Sequence, residues 1–251
     1  MDKSHNKKGG DPIENLYLNN SYLREQGCTI THVSADRRWI SLDQTIIYPG
    51  GGGQPADQAK LLINEEWYQV VEIRRGQENG ISYKLDRPIV GDDQAAFIQI
   101  DWAFRYQNMR YHTLLHIISG YLYRKYHALV TSSGIMSDHA RLEVEFQEDN
   151  VPSEFDPELI TQNIQQLIKD DFPVTTATID RNTLNEEDLI RTYTNLIPKS
   201  ITNVRLVKIG DFDEQACAGT HVASTGEVGN FKFIQLKNKG RLKKRIKVQV
   251  L

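Results

Sequence analysis

Two short segments about a hundred residues apart carry the side chains that most restrict how this chain can fold. His112-Thr113-Leu114-Leu115-His116 lies in a stretch of helical periodicity. Cys217-Ala218-Gly219-Thr220-His221 lies in a Gly-containing loop between strand-like stretches. Histidines four apart on a helix stand one turn above each other, so both imidazoles can face one ion. A Cys and a His four apart in a tight turn can supply the rest of a tetrahedral N/S set, which suits zinc in softness and geometry. One ion shared by all four requires a fold that brings the middle of a helix to a distant loop.

The surrounding residues narrow the chemistry. Thr113 stands where an HExxH metalloprotease carries its glutamate, so a peptidase would lack its general base. Small structural zinc modules draw their ligands from CxxC knuckles, and this chain has none. A single thiolate with up to three imidazoles leaves the ion more electrophilic than a thiolate cluster would. A ligand that swings out opens a position for water or a substrate carbonyl. The pattern therefore favours a catalytic over a structural ion. His5, His32, His127 and His139 have no partner at ligand spacing and read as structural.

With 251 residues, a quarter of them charged, the chain has room for one large or two modest domains. No apolar run approaches a membrane span, and the polar start MDKSHNKKGGD has no secretory core. Two cysteines, Cys28 and Cys217, do not make a secreted framework, so a reduced, cytoplasmic chain is expected. The net charge of −3 conceals a division: Lys232 to Lys247 holds eight Lys or Arg and no acid, while Glu143 to Glu158 is acid-rich. The basic run reads equally as a solvated edge strand or as a seat for an anionic backbone.

The first hundred residues read as β. Ile30–Val33, Trp39–Leu42, Lys60–Ile63, Trp67–Ile73, Ile81–Leu85 and Ala95–Ile100 are short, rich in β-branched or aromatic residues and separated by turn residues, as in a small barrel. Pro49 to Pro55 interrupts them with a run that cannot be regular structure. Asp101 is a candidate N-cap for a helix over 102–126, with Leu115, Ile118 and Leu122 at helical spacing. A strand at 142–146, a helix at 157–170 capped by Asp156, and strands at 173–179, 204–209, 228–236 and 245–250 follow. This irregular alternation predicts an α+β chain divided near residue 100, into residues 1–100 with the glycine-rich loop and residues 101–251.

Three blocks resemble one family, the freestanding alanyl-tRNA editing proteins related to the editing domain of alanyl-tRNA synthetase. The first runs Leu42-Asp43-Gln44-Thr45-Ile46-Ile47-Tyr48-Pro49, Gly50 to Gln54, and Pro55-Ala56-Asp57. The second is Asp101-Trp102, Arg105, Met109, His112-Thr113 and His116. The third is Cys217, Gly219-Thr220-His221-Val222, Thr225-Gly226-Glu227-Val228-Gly229, Lys239-Gly240 and Arg245-Ile246. Order and spacing hold from about Leu16 onward. Ala218, where glycine is usual, and Leu114-Leu115, for a commoner Ala-Thr pair, depart from the pattern without removing a ligand.

The resemblance implies a small β-barrel followed by an α/β editing domain of the threonyl/alanyl-tRNA synthetase type. It implies Zn2+ held by His112, His116, Cys217 and His221, and hydrolysis of serine, or of glycine, wrongly esterified to alanine tRNA. A synthetic pocket rejects an added hydroxyl by only roughly 10²-fold, whereas a site that hydrogen-bonds it discriminates by roughly 10⁴ or more. Thr131, Ser132 or Ser133, in a polar turn after the metal helix, is expected to read that hydroxyl, with Thr220 a second candidate. Gly52, Gly53 and Gln54 are expected to meet the aminoacyl-adenosine end, although glycines in isolation read as a flexible hairpin. Lys237, Lys239, Arg241, Lys243, Lys244 and Arg245 are expected to grip the tRNA acceptor stem. The alternatives are zinc-dependent editing of another aminoacyl-tRNA and an RNA-binding module with a structural zinc.

Overall fold

A computed structural model describes residues 13–76, 80–152, 155–184, 189–194, 197–199 and 201–251. It divides into two compact units. One takes the chain up to Pro49 together with Ala56–Arg105; the other takes Gly50–Pro55 together with Tyr106–Leu251. The glycine-rich loop, which chain order places with the barrel, therefore groups with the second unit.

The first unit contains β1 (Glu14–Asn15), β2 (Glu25–Val33), β3 (Trp39–Leu42), β4 (Gln44–Thr45), β5 (Ala59–Ile63), β6 (Glu66–Arg75), β7 (Ile81–Leu85) and β8 (Ala95–Ile100). Six of these close into an antiparallel barrel in the order β2-β3-β7-β6-β5-β8, as the short β-branched runs predict. Strict alternation in β5 and β7 turns Leu61, Ile63, Ile81, Tyr83 and Leu85 into the core beside Ile40, Leu42 and Ile98. The Tyr83 hydroxyl donates to Thr45 Oγ1 at 2.9 Å, so the one polar tip inside that set is satisfied.

Arg105 is fully buried in this unit, and each nitrogen of its guanidinium is hydrogen-bonded. Nε donates to Asp57 Oδ1 at 2.8 Å, Nη2 donates to Asp57 Oδ2 and to Ile46 O, and Nη1 donates to Ser21 O at 2.9 Å. Tyr48 N–H donates to the same carboxylate at 2.6 Å. Burial pushes the Asp57 carboxyl upward, and the guanidinium opposes that shift.

In the second unit α1 (Trp102–Tyr126) is followed by β9 (Leu129–Ile135), β10 (Ala140–Glu145), α2 (Pro157–Lys169), β11 (Val174–Asp180), β12 (Asn203–Ile209), β13 (Asp213–Ala216), β14 (Phe231–Asn238) and β15 (Lys243–Val250). Asp101 Oδ1 accepts the N–H of Phe104 at 3.0 Å and starts α1 as expected of an N-cap. Asp156 does the same for α2, whose Ile160, Ile164 and Ile168 face inward. The strands form two antiparallel sheets, β14-β15-β10-β9 and β11-β12-β13. Helix α1 is buried beyond the residues whose helical spacing marked it: every residue from Tyr111 to Gly120 is buried. The helix is held from several sides, by Tyr111 Oη on Asp138 O at 3.0 Å, Arg110 on Val228 O at 2.8 Å and Ser119 Oγ on Gln215 at 3.2 Å.

Two local readings are corrected. Thr131–Ser133 lie within strand β9, not in a turn, because Ser133 pairs with Leu142 and Ser132 with Glu143 on β10. Val228 closes a short 3-10 turn, Thr225–Val228, and β14 begins only at Phe231. Both cysteines are free thiols, and no helix among the described residues is long and apolar enough to cross a membrane.

Removing one partner of a buried ion pair strands the other charge, which costs about 3–5 kcal/mol. Asp57→Asn is therefore expected to lower the unfolding free energy by that amount, read as a shift in the urea midpoint at unchanged slope.

Candidate metal centre

The two half-sites converge. The helix sets His112 and His116 one turn apart, with ring centroids 5.0 Å from each other and planes nearly perpendicular. β13 ends at Ala216, and the loop that follows returns Cys217 and His221 to the helix. His221 stacks on His112 at 4.2 Å and meets His116 edge-on at 4.5 Å. One donor atom from each of the four residues lies within 4.8 Å of all the others, a group that can hold a metal ion. Cys217 Sγ is 3.5 Å from Nε2 of both His112 and His221.

Burial fixes the protonation of the imidazoles. It lowers His112 to about 4 and His116 and His221 well below the ordinary histidine range; the cation of Arg205 pushes all three the same way, the neighbouring rings do so for His116 and His221, and the Thr220 backbone opposes the shift at His112. All three are neutral near pH 7, the form that has a lone pair to give. Burial raises the Cys217 thiol, opposed by the Gly219 N–H at 3.3 Å from Sγ and by Arg205.

A ring of polar groups orients these donors. His112 Nδ1 lies 2.8 Å from Gln54 Oε1, and the same oxygen accepts the N–H of Thr220 at 3.1 Å. Gln54 Nε2 donates to Thr220 Oγ1 at 2.7 Å. His221 Nδ1 lies 3.1 Å from Thr113 Oγ1, which also accepts the N–H of Val222 at 3.3 Å. Nδ1 of His116 is buried and has no hydrogen-bond partner among the described residues. Gly219 has to be glycine: a Cβ there would stand 2.1 Å from His112 Cε1.

The residues expected to contact substrate fall into different places. Gln54 and Thr220 are buried, and their side chains are spent on each other and on His112. Gly52 and Gly53 are exposed at the loop tip. Ser133 Oγ donates to Gly52 O at 3.2 Å, and Ile135 N–H donates to Gly53 O at 2.8 Å, so β9 lies against this loop. Gly53, at φ +87°, could carry no side chain, since a Cβ would meet Ser133 Oγ at 2.6 Å. Ser132 instead accepts from Arg141 Nη2 at 3.3 Å, and Thr131 donates to Glu143 O at 3.4 Å.

The basic run is more neutralised than its composition implies. Arg245 pairs with Glu143 at 2.6 Å, Lys243 with Glu145 at 3.1 Å and Arg241 with Glu148 at 2.6 Å. Lys244 donates to Asn238 Oδ1 at 2.8 Å and stands over the Phe155 ring. Lys237 and Lys239 are exposed and form no ion pair among the described residues. Sequence reasoning missed the orienting roles of Thr113 and Gln54 and the grip of Arg205 on the Cys217 and Gly219 carbonyls. The only signal for Thr113 was its place between the two histidines.

Residues 204–247 match the family described as Threonyl and Alanyl tRNA synthetase second additional domain. Alanyl-tRNA editing protein AlaX-L of Pyrococcus horikoshii is 34% identical over 91% of this chain, which spans 56% of that protein's length. An alanine–tRNA ligase of Pyrococcus abyssi is 32% identical over 88% of this chain but only 24% of its own length. Alanyl-tRNA editing protein AlaX-M of Saccharolobus solfataricus is 32% identical over 93% of this chain and 97% of its own. Similar to the Saccharolobus protein along almost the whole of both sequences, this chain belongs to the AlaX family of alanyl-tRNA editing proteins.

Proposed function

We propose that this protein is a trans-acting hydrolase that deacylates alanine tRNA mischarged with serine, using zinc held by His112, His116, Cys217 and His221. The observation that carries the reading is the convergence of three neutral imidazoles and one thiol within 4.8 Å. In tetrahedral zinc sites, bond lengths of about 2.3 Å to sulfur and about 2.0–2.1 Å to nitrogen put neighbouring donors about 3.5 Å apart. The separation of Cys217 Sγ from two imidazole Nε2 atoms is 3.5 Å. The buried, unpartnered Nδ1 of His116 and the second-nitrogen contacts to Gln54 and Thr113 also suit a ligand set. When bound, the ion supplies Lewis acidity, acidifying a water or polarising an ester carbonyl.

The protein's own groups do the remaining work. Gln54 and Thr113 hold the outer nitrogens of His112 and His221, which keeps both Nε2 atoms directed at Cys217. Ser133 is the member of the Thr131–Ser133 set that reads the substrate. Its hydrogen is donated to Gly52 O, leaving the oxygen lone pairs to accept the hydroxyl of a seryl group. An alanyl or glycyl group offers no such donor, so this arrangement favours serine over both. Gly52 and Gly53 let the backbone approach the aminoacyl-adenosine end without side chains in the way. Lys237 and Lys239 lead the phosphate contacts to the acceptor stem, while Arg241, Lys243 and Arg245 tie β15 and its hairpin to the acids at Glu143, Glu145 and Glu148.

Three outcomes are expected. Stripping the metal with a chelator abolishes Ser-tRNA(Ala) hydrolysis while far-UV circular dichroism keeps its shape, and added zinc restores turnover. A protein that unfolds on chelation, or hydrolyses the ester without metal, would refute a catalytic ion. Ser133→Ala lowers the preference for seryl over alanyl ester about 3–10-fold, the worth of one neutral hydrogen bond. Thr131→Val and Ser132→Ala leave it unchanged; equal effects at all three positions would remove Ser133 from the role. In single-turnover assays kcat/KM falls steeply with salt, and Lys237→Gln with Lys239→Gln flattens that dependence. Arg245→Gln does not, and a slope insensitive to both lysines would place the tRNA elsewhere.

A further inference from the structure

Arg205 holds the metal loop at three points. It lies half-buried in β12, opposite Thr178 of β11. Its carbonyl accepts the N–H of Cys217 at 3.0 Å. Its Nη1 donates back to Cys217 O at 2.8 Å and to Gly219 O at 2.9 Å. The loop thus turns two carbonyls towards one guanidinium.

That orientation propagates through a planar peptide. In a trans unit C=O and N–H point in opposite directions. Drawing the Gly219 carbonyl to Arg205 therefore aims the Thr220 N–H the other way, where it meets Gln54 Oε1 at 3.1 Å. Only an oxygen can accept this N–H, so the contact settles which end of the Gln54 amide faces it. The same oxygen lies 2.8 Å from His112 Nδ1. An amide oxygen donates nothing, so Nδ1 carries the imidazole proton and Nε2 keeps its lone pair, on the side of Cys217 Sγ.

We infer that Arg205 is a positioning residue for His112. Through the Gly219–Thr220 peptide and Gln54, it selects the tautomer and ring orientation in which His112 offers Nε2 to the ion. The inference rests on the metal-centre reading given above. Arg205 reaches the donors in two ways, through its hydrogen bonds to the loop carbonyls and through the field of its cation, and it is the first that sets the ring of His112; Arg205→Lys keeps the second.

A double-mutant cycle on the full chain tests it, with zinc affinity read by competition against a chromophoric chelator. Groups behind a metal ligand typically change affinity about 10–100-fold when removed. Arg205→Met and Gln54→Leu should each weaken zinc binding by that range. The double variant should bind little worse than either single one, because both interrupt one path. Arg205→Lys, which keeps a cationic donor, should recover part of the loss and serves in place of the methionine variant if that one does not fold. Unchanged affinity in both Arg205 variants, or multiplicative losses in the double variant, overturns the inference while leaving the metal centre standing. A wild-type chain that binds no zinc overturns the centre itself, and this inference with it.

Discussion

Burying three imidazoles and a thiol beside one another is the demand that the second unit is arranged to meet. A buried polar group without a partner costs about 1–3 kcal/mol, and the cluster brings several such groups into one place. Helix α1 makes the demand severe, because residues 111–120 have no solvent-facing side. Much of the local architecture follows from satisfying it. Thr113 meets His221, Gln54 meets His112, and Ser119 with Gln215 covers the carbonyl of His116 at 3.1 and 3.2 Å. Behind Gln215 stands Asp213, paired with Arg191 at 3.0 Å. Burial lifts this carboxyl, and the arginine opposes the lift.

The residues of the three sequence blocks divide between two tasks. Asp57 and Arg105, from separate blocks, are one buried ion pair inside the barrel unit. Asp43 serves the backbone, accepting from Thr29 N–H at 2.7 Å and Gln44 N–H at 2.8 Å. Thr45 accepts the Tyr83 hydroxyl. The first block is thus largely a set of instructions for closing a barrel, and only its last part, Gly50 to Gln54, reaches the histidines. In the third block Thr225 works likewise, donating to Leu167 O at 2.9 Å and accepting from Phe172 N–H.

Local periodicity carried most of the fold. The barrel strands, α1, α2 and β12 lie within a few residues of where short β-branched runs, 3.6-residue spacing and Asp caps put them. Ligand spacing alone was enough to join His112, His116, Cys217 and His221. Pairings across long stretches of chain were not legible. Gln54 lies 58 residues from His112 and 166 from Thr220, and nothing in their neighbourhoods specifies the contact. The basic run looked like a free cationic surface because its neutralising acids sit about a hundred residues earlier, at Glu143 and Glu145, and meet it only through the β10–β15 register. Thr131–Ser133 looked like a turn because polar residues break the apolar alternation; pairing to β10 outweighs that local preference.

The chain excursion at Gly50–Pro55 limits how this architecture can be taken apart. The imidazole at position 112 depends for its proton placement on an amide supplied from the N-terminal half of the polypeptide. Cutting between the barrel and α1 would yield a fragment possessing all four candidate ligands yet missing the amide that meets one of them. The loop between β4 and β5 in this sense belongs with the candidate ligands rather than with the strands that flank it.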